Sequence, residues 1–457
     1  MSRSSARAAP GTGPVTLIHA GHVVPVRPRG QVLEAHTVAI SGERIAGVLP
    51  RDDAEACWPE AERVELPGHV LFPGLVNSHT HAPMTLLRGF ADDMELTTWL
   101  QEHIWPAERR HVGPGFVRDG TRLAVAEMLR SGTTCFNDMY FFPDATIEVC
   151  REIGMRASIG ITIIEFASAW ATGVNDYIEK GLELLDAWGE DPLLCFTLSP
   201  HAPYTVSDET LARIAALSRE RGLPVHMHLL ETEWEIKQSY QQHDMHPVSR
   251  LEKQGLLNER LQAVHAVHTS ADDIGRLAAA GASVVHCPQS NLKLASGFCP
   301  VGALLDAGIN VAIGTDGAAS NNDLDLLAEA QTAALLAKAV AGDARVLDAG
   351  QALEMMTLNG ANALGLAADI GSIEVGKQAD LCAMDFHRPA TQPLHHVVSQ
   401  LLYAASSGQV SDVWVAGRRV LNSGRLTTID EAEVIASAAR WRERLVRDDA
   451  AADGTGK

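Results

Sequence analysis

The chain has 457 residues, a formal net charge of −20, 46% apolar and 21% charged residues. That is enough to bury a large core and too much for one small domain, in the proportions of an ordinary globular enzyme. The acidic balance argues against a nucleic-acid binder, whose phosphate contacts need clustered Lys and Arg. No run of about 20 uncharged apolar residues offers a membrane span.

The 7 cysteines are scattered and lack a CxxC pair, which points to free thiols in a reducing, cytoplasmic setting. Cys287 and Cys299 read as small buried hydrophobes. Residues 1–13 lack the apolar core of a secretory signal and read as a loose tail, as do 450–457.

In chain order, residues 14–68 hold short β-rich pieces at 16–18, 36–40 and 44–48. Eight apolar runs of the kind expected for buried parallel strands come next, near 69–79, 132–138, 155–163, 193–199, 223–230, 261–268, 282–287 and 309–315. Most lead into stretches with helical spacing, among them 115–131, 207–221, 270–280 and 324–341. The phrase Thr205-Val206-Ser207-Asp208-Glu209 predicts one helix start. Eight strands alternating with helices predict a (β/α)8 TIM barrel over 69–366. The β-like pieces at 371–377, 379–384 and 413–417 match those at the start. Residues 14–68 and 367–430 therefore read as two halves of one small β-sandwich, and 431–457 as a C-terminal helix and tail.

Asn77-Ser78-His79-Thr80-His81 closes the first barrel run. Side chains at i and i+2 of a strand share a face, so His79 and His81 aim two imidazoles at one point. Neutral imidazoles are good ligands for a divalent metal, although His-x-His alone is a weak signal. Its weight comes from three downstream segments and their order. His226-Met227-His228 precedes Glu231, His265-Ala266-Val267-His268 comes next, and 309–314 ends in Thr315-Asp316-Gly317. A catalytic zinc takes three or four N/O ligands and keeps one position open for water. His79, His81, His228 and Asp316 supply such a set at the strand ends, where barrel active sites lie.

The ordered phrases 73–81, Ser199-Pro200-His201-Ala202-Pro203-Tyr204, His228-Leu229-Leu230-Glu231, 265–268 and 314–317 resemble the amidohydrolase superfamily, in the one-metal branch of cytosine, guanine and adenosine-type deaminases. Ile104-Trp105-Pro106-Ala107-Glu108, 289–297 and 316–322 are similar to the 5-methylthioadenosine/S-adenosylhomocysteine deaminases, and the resemblance covers nearly the whole chain. It implies one Zn2+ per subunit, with Fe2+ as the alternative, and hydrolytic deamination of an adenosine-type nucleoside to its 6-oxo product and ammonia. In that scheme Asp316 takes a proton from the water, Glu231 donates to purine N1, and His268 hydrogen-bonds the attacking oxygen. Glu108 accepts from the ribose diol, His201 contacts base or ribose, and Trp99 and Trp105 wall the pocket. The resemblance also implies a homo-oligomer, as a dimer.

Relatives acting on guanine, 8-oxoguanine and triazines share most of these phrases and form the alternative. Binuclear cyclic-amide hydrolases carry a lysine at the end of strand four, where this chain has Ser199-Pro200-His201. Some relatives carry an arginine five residues after Gly-Met-Arg. Here the phrase is Gly154-Met155-Arg156 and the fifth residue is Ile161, which favours methylthioadenosine or adenosine over the homocysteine conjugate. The remaining polar residues take blander roles. His226 and His265 read as buried structural histidines, with support of a ligand as the alternative; His286 is split between pocket and core. His103, His111, His243 and His246 read as surface residues, Asp138 as orienting a loop or ligand, and 92–95 as a solvated loop face.

Overall fold

Eight parallel strands succeed one another in chain order in the computed structural model, which describes residues 14–454. They are β1 (Leu75–Thr80), β2 (Thr133–Tyr140), β3 (Arg156–Ile163), β4 (Leu194–Pro200), β5 (Val225–Leu229), β6 (Leu261–His265), β7 (Ser283–His286) and β8 (Asn310–Ile313). β3, Arg-Ala-Ser-Ile-Gly-Ile-Thr-Ile, is buried at every position. A parallel strand covered on both faces needs that continuous apolar character. The helices Pro114–Arg130, Asp208–Arg221, Ala271–Ala280 and Leu326–Ala341 fall where the spacing predicts. Asp208–Arg221 starts at Ser207, whose hydroxyl accepts from Thr210 N at 3.2 Å, and stops at Gly222 with φ 69°.

The strands form a nearly closed TIM-like barrel. β1 and β8 are joined by side chains at the seam. Asn77 Nδ2 donates to Thr315 Oγ1 at 2.8 Å, Thr315 N donates to Asn77 Oδ1 at 3.0 Å, and Asp316 N donates to His79 O at 3.0 Å. Gly314 allows this approach, since a Cβ there would lie 2.7 Å from the Cβ of His79.

Both chain ends build the second sheet. Val15–Val23, Leu33–Glu34, His36–Ser41, Arg44–Pro50 and Glu62–Pro73 join Leu381–Asp385, Val410–Val415, Arg418–Asn422 and Arg425–Leu426 in a mixed nine-stranded sheet. It wraps a separate small core that includes Ile18, Val38, Ile45, Leu71, Leu381 and Trp414. A buried pair fastens it to the barrel, with Arg156 Nε donating to Asp380 Oδ2 at 2.8 Å.

Three expectations need correction. The run 69–79 is not one strand. Pro73 still pairs with Leu381 in the mixed sheet, while Leu75 N already bonds Gly132 O beside the barrel. The chain changes sheets at Gly74, where any Cβ would collide with Thr134. Residues 371–377 form a turn rather than a strand, because Gly371 and Gly376 sit at φ 87° and 94°. The last helix, Glu431–Gly454, continues past 450, where the sequence predicts a tail. The tail expected at 1–13 and the end of the chain at 455–457 lie outside the described residues.

Candidate active site

At the C-terminal mouth of the barrel, donor atoms of His79, His81, His228 and Asp316 all lie within 4.8 Å of one another. His79 Nε2 is 3.2 Å and His81 Nε2 is 3.3 Å from Asp316 Oδ1, and the Nε2 atoms of His79 and His228 are 3.2 Å apart. These three separations bring the donors close enough to share one cation. Each imidazole is oriented through its other nitrogen. His81 Nδ1 donates to Met139 O at 2.6 Å, His228 Nδ1 to His201 O at 2.7 Å, and His79 Nδ1 to His226 Nε2 at 2.8 Å. His226 Nδ1 in turn donates to Gln262 Oε1 at 2.8 Å, and Gln262 Nε2 to Ala363 O at 2.6 Å. This directed chain turns three Nε2 atoms toward one point, an arrangement that suits a cation such as Zn2+ once they are deprotonated.

Asp316 has a left-handed backbone, φ 64°, which turns its carboxylate into the cluster. Its Oδ2 accepts from Ser290 Oγ at 2.7 Å and Ser320 Oγ at 3.1 Å, and its Oδ1 from Gly317 N at 2.8 Å. Burial works against its charge, but the adjoining His79 and His81 rings outweigh it and hold the carboxyl well below the usual range. Burial likewise opposes charge on His81, yet Asp316 prevails and that ring is pushed up to about 9, while burial drops His79 to about 4. The cluster therefore holds one buried pair, Asp316 with His81, beside a neutral His79.

A cavity of about 510 Å³ opens over the cluster. It is lined by His81, His228 and Asp316, and also by Glu108, His201 and Glu231. Glu231 is buried, which pushes its carboxyl up, and accepts from Ser296 Oγ at 3.4 Å. Glu108 accepts from Tyr140 OH at 2.7 Å, and burial raises its carboxyl too. His201 is held neutral, its pKa lowered by burial to about 3. Trp99 and Trp105 line the cavity from the segment Leu96–His111, which includes a π-helical turn, Trp99–Ile104.

His268 is the predicted residue that the fold does not bring to the cavity. Its Nε2 donates to Ser296 O at 2.7 Å, and it is absent from the lining. His265 lines the cavity instead, with Nε2 at 3.7 Å from Glu231 Oε2 and Nδ1 donating to Asn291 Oδ1 at 2.9 Å. Strand parity points it the wrong way, because its neighbours Gln262 and Val264 take the parity of His226 and His228. Left-handed φ values of 74° at His265 and 49° at Ala266 reverse that direction.

Of the remaining polar residues, some depart from their expected roles and some keep them. His226 supports a cluster imidazole directly, through its bond to His79. His111 is no surface residue; its side chain is 3% exposed, beside Asp448. In the loop at 92–95, Asp93 and Glu95 are exposed as expected, while Asp92 is also bound by Lys293 at 2.6 Å. Asp138 accepts from Ala82 N at 2.7 Å and Thr80 Oγ1 at 3.1 Å, fixing the backbone around His81. His286 is buried and stays off the cavity lining. Ile161 is also absent from the lining and packs against Gly181.

The chain belongs to the amidohydrolase family, whose pattern matches residues 70–420. It is 50% identical over 428 residues to a curated protein of Teredinibacter turnerae named 5-methylthioadenosine/S-adenosylhomocysteine deaminase, spanning 94% of this chain and 97% of that one. The solved structure of an adenosine deaminase from Xanthomonas campestris with bound zinc superposes with a TM-score of 0.94 at 52% identity, covering 96% of this chain and 100% of that one. An atrazine chlorohydrolase from Arthrobacter aurescens complexed with zinc shares the fold at a TM-score of 0.87 and 24% identity, over 93% and 99% of the two chains. Among the described residues, no helix is long and apolar enough to cross a membrane.

Proposed function

We propose that this protein is a zinc-dependent aminohydrolase that converts an adenosine-type nucleoside, 5′-methylthioadenosine, S-adenosylhomocysteine or adenosine, to its 6-oxo counterpart and ammonia. The observation that carries this is one cavity holding the His79–His81–His228–Asp316 cluster, a buried carboxyl at Glu231 and a second carboxyl at Glu108. The Teredinibacter and Xanthomonas relatives, at 50% and 52% identity, support the nucleoside class.

Zinc held by His79, His81, His228 and Asp316 would supply the Lewis acidity that makes water nucleophilic near neutral pH. The chain's own groups then handle the protons. Asp316, its Oδ2 supported by Ser290 and Ser320, accepts a proton from the water that adds to C6. Glu231, its carboxyl pushed up by burial, donates to purine N1 and makes C6 electrophilic. With its Nδ1 proton given to Asn291, His265 offers Nε2 as an acceptor for the remaining O–H of the added water and for proton exchange with Glu231. Collapse of the tetrahedral adduct returns a proton to the amino group, and ammonia departs. Glu108, with one oxygen engaged by Tyr140, has the other free for the ribose hydroxyls.

Cys135, Cys150, Cys195, Cys287, Cys299 and Cys382 are free thiols, which supports a reducing, cytoplasmic setting. Assembly as a homodimer is proposed on the resemblance. Isolation of the 6-oxo product from 5′-methylthioadenosine, S-adenosylhomocysteine and adenosine, each incubated with zinc-loaded protein, tests the function; all three unchanged overturns it.

A further inference from the structure

Glu235 is 2% exposed and, among the described residues, has no cationic partner. A carboxyl in that position is costly unless something needs it as an acceptor. Its pattern suggests an ordinary helix start, since Thr232 caps the helix Glu233–His243 and Glu235 sits three residues on. In such a box the glutamate would reach back to the backbone N–H of the cap residue. Glu235 instead passes Thr232 and takes two earlier amides: Oε1 accepts from Leu230 N at 2.8 Å and Oε2 from Glu231 N at 3.2 Å.

Those amides belong to the turn that presents Glu231 to the cavity. Leu230 is left-handed, φ 55°, which a branched side chain adopts only when its surroundings impose it. The carbonyls of the turn are held from the neighbouring strand end, where Ala266 N donates to Leu229 O at 3.1 Å and His268 N to Leu230 O at 2.9 Å. Glu235 supplies the acceptors for the N–H side. The Leu230 and Glu231 amides and the Leu229 and Leu230 carbonyls are thereby paired, and the same ladder carries the reversed backbone at His265 and Ala266.

We propose that Glu235 is a positioning residue for the reaction, acting through Glu231 by clamping the Leu230–Glu231 amides. It rests on Glu231 being the proton carrier of the proposed function. A displaced reacting group costs up to about 100-fold in rate without a lost contact to substrate.

The test is a double-mutant cycle of Glu235→Gln with Glu231→Gln, read on whichever substrate the wild type turns over, so that failure of the nucleoside reading leaves it intact. Gln keeps the shape but places an N–H against one of the two amides. Expected is a fall in kcat of roughly 10- to 100-fold with KM and zinc content unchanged, and no further loss when Glu231 is already Gln. Wild-type kcat in the single variant overturns the proposal. So does a full second loss in the Glu231→Gln background, which would mark Glu235 as merely structural. Should the Gln variant not fold, Glu235→Asp, too short to span both amides, is read in the same cycle by the same criteria.

Discussion

His79 donates its Nδ1 proton to Nε2 of His226 across 2.8 Å, in a fully buried contact that fixes which nitrogen His79 turns toward the cluster. Partners of this kind set ligand tautomer and basicity, and their loss typically weakens metal binding about 10- to 100-fold. His226→Ala should therefore retain the fold and lose zinc to a competing chelator at correspondingly lower chelator concentration. Zinc affinity equal to wild type would mean that the contact is packing only.

Glu108 has one carboxylate oxygen engaged by Tyr140 and lies in the cavity wall. Glu108→Ala should raise KM for adenosine and 5′-methylthioadenosine by about 10-fold or more, as expected when a charged hydrogen bond to substrate worth roughly 1.5–3 kcal/mol is removed. Steady-state kinetics on ribosyl and base-only substrates check this; equal damage to both would remove the diol assignment.

Arg156 and Asp380 join the barrel to the mixed sheet with side chains 5% and 1% exposed. Asp380 Oδ1 also accepts from Ala416 N at 2.7 Å, and Arg156 Nη1 donates to Pro192 O at 2.7 Å. Arg156→Ala strands a buried carboxylate and should cost about 3–5 kcal/mol, whereas replacing both partners by apolar residues should cost less. Denaturant unfolding of the single and double variants measures the difference; a single variant as stable as wild type would contradict it.

His286 is buried, and that burial lowers its pKa from 6.5 to about 3. Below pH 6.5 the unfolded chain gains a proton that the folded one refuses until about pH 3. Stability from this residue is thus present above 6.5 and lost as pH falls toward 3, at about 1.4 kcal/mol per pH unit. Melting curves between roughly pH 7 and 5 should show wild type falling faster than His286→Asn. Parallel curves would show that the residue is charged or solvated in the fold.

Much of the site could be read from the chain because its elements are regular. His79 and His81 share a face by strand parity, and His228 and Asp316 lie at the ends of apolar runs whose burial is nearly complete. The residues that escape such a reading lie where the backbone leaves its regular period. His265 enters the cavity only through two left-handed residues, and Glu235 reaches past its own helix cap, so neither direction is encoded in spacing. Gly74 divides an apolar run that has no change of composition to mark the switch of sheets. Ser290, in the short helix Pro288–Lys293, and Ser320, four residues after Asp316, fix its carboxylate, and their signal is confined to the family-like phrases around them.

The most direct measurement is ammonia release from zinc-loaded protein offered 5′-methylthioadenosine, S-adenosylhomocysteine, adenosine, guanine, 8-oxoguanine and a chlorotriazine in parallel, with chloride followed for the last and the Glu231→Gln protein beside each. The proposed chemistry predicts turnover of the adenosine-type compounds with formation of their 6-oxo products, and its near-complete loss in Glu231→Gln with zinc retained. Silence on those compounds together with release from guanine, 8-oxoguanine or the triazine would contradict the nucleoside assignment and the role given to Glu108.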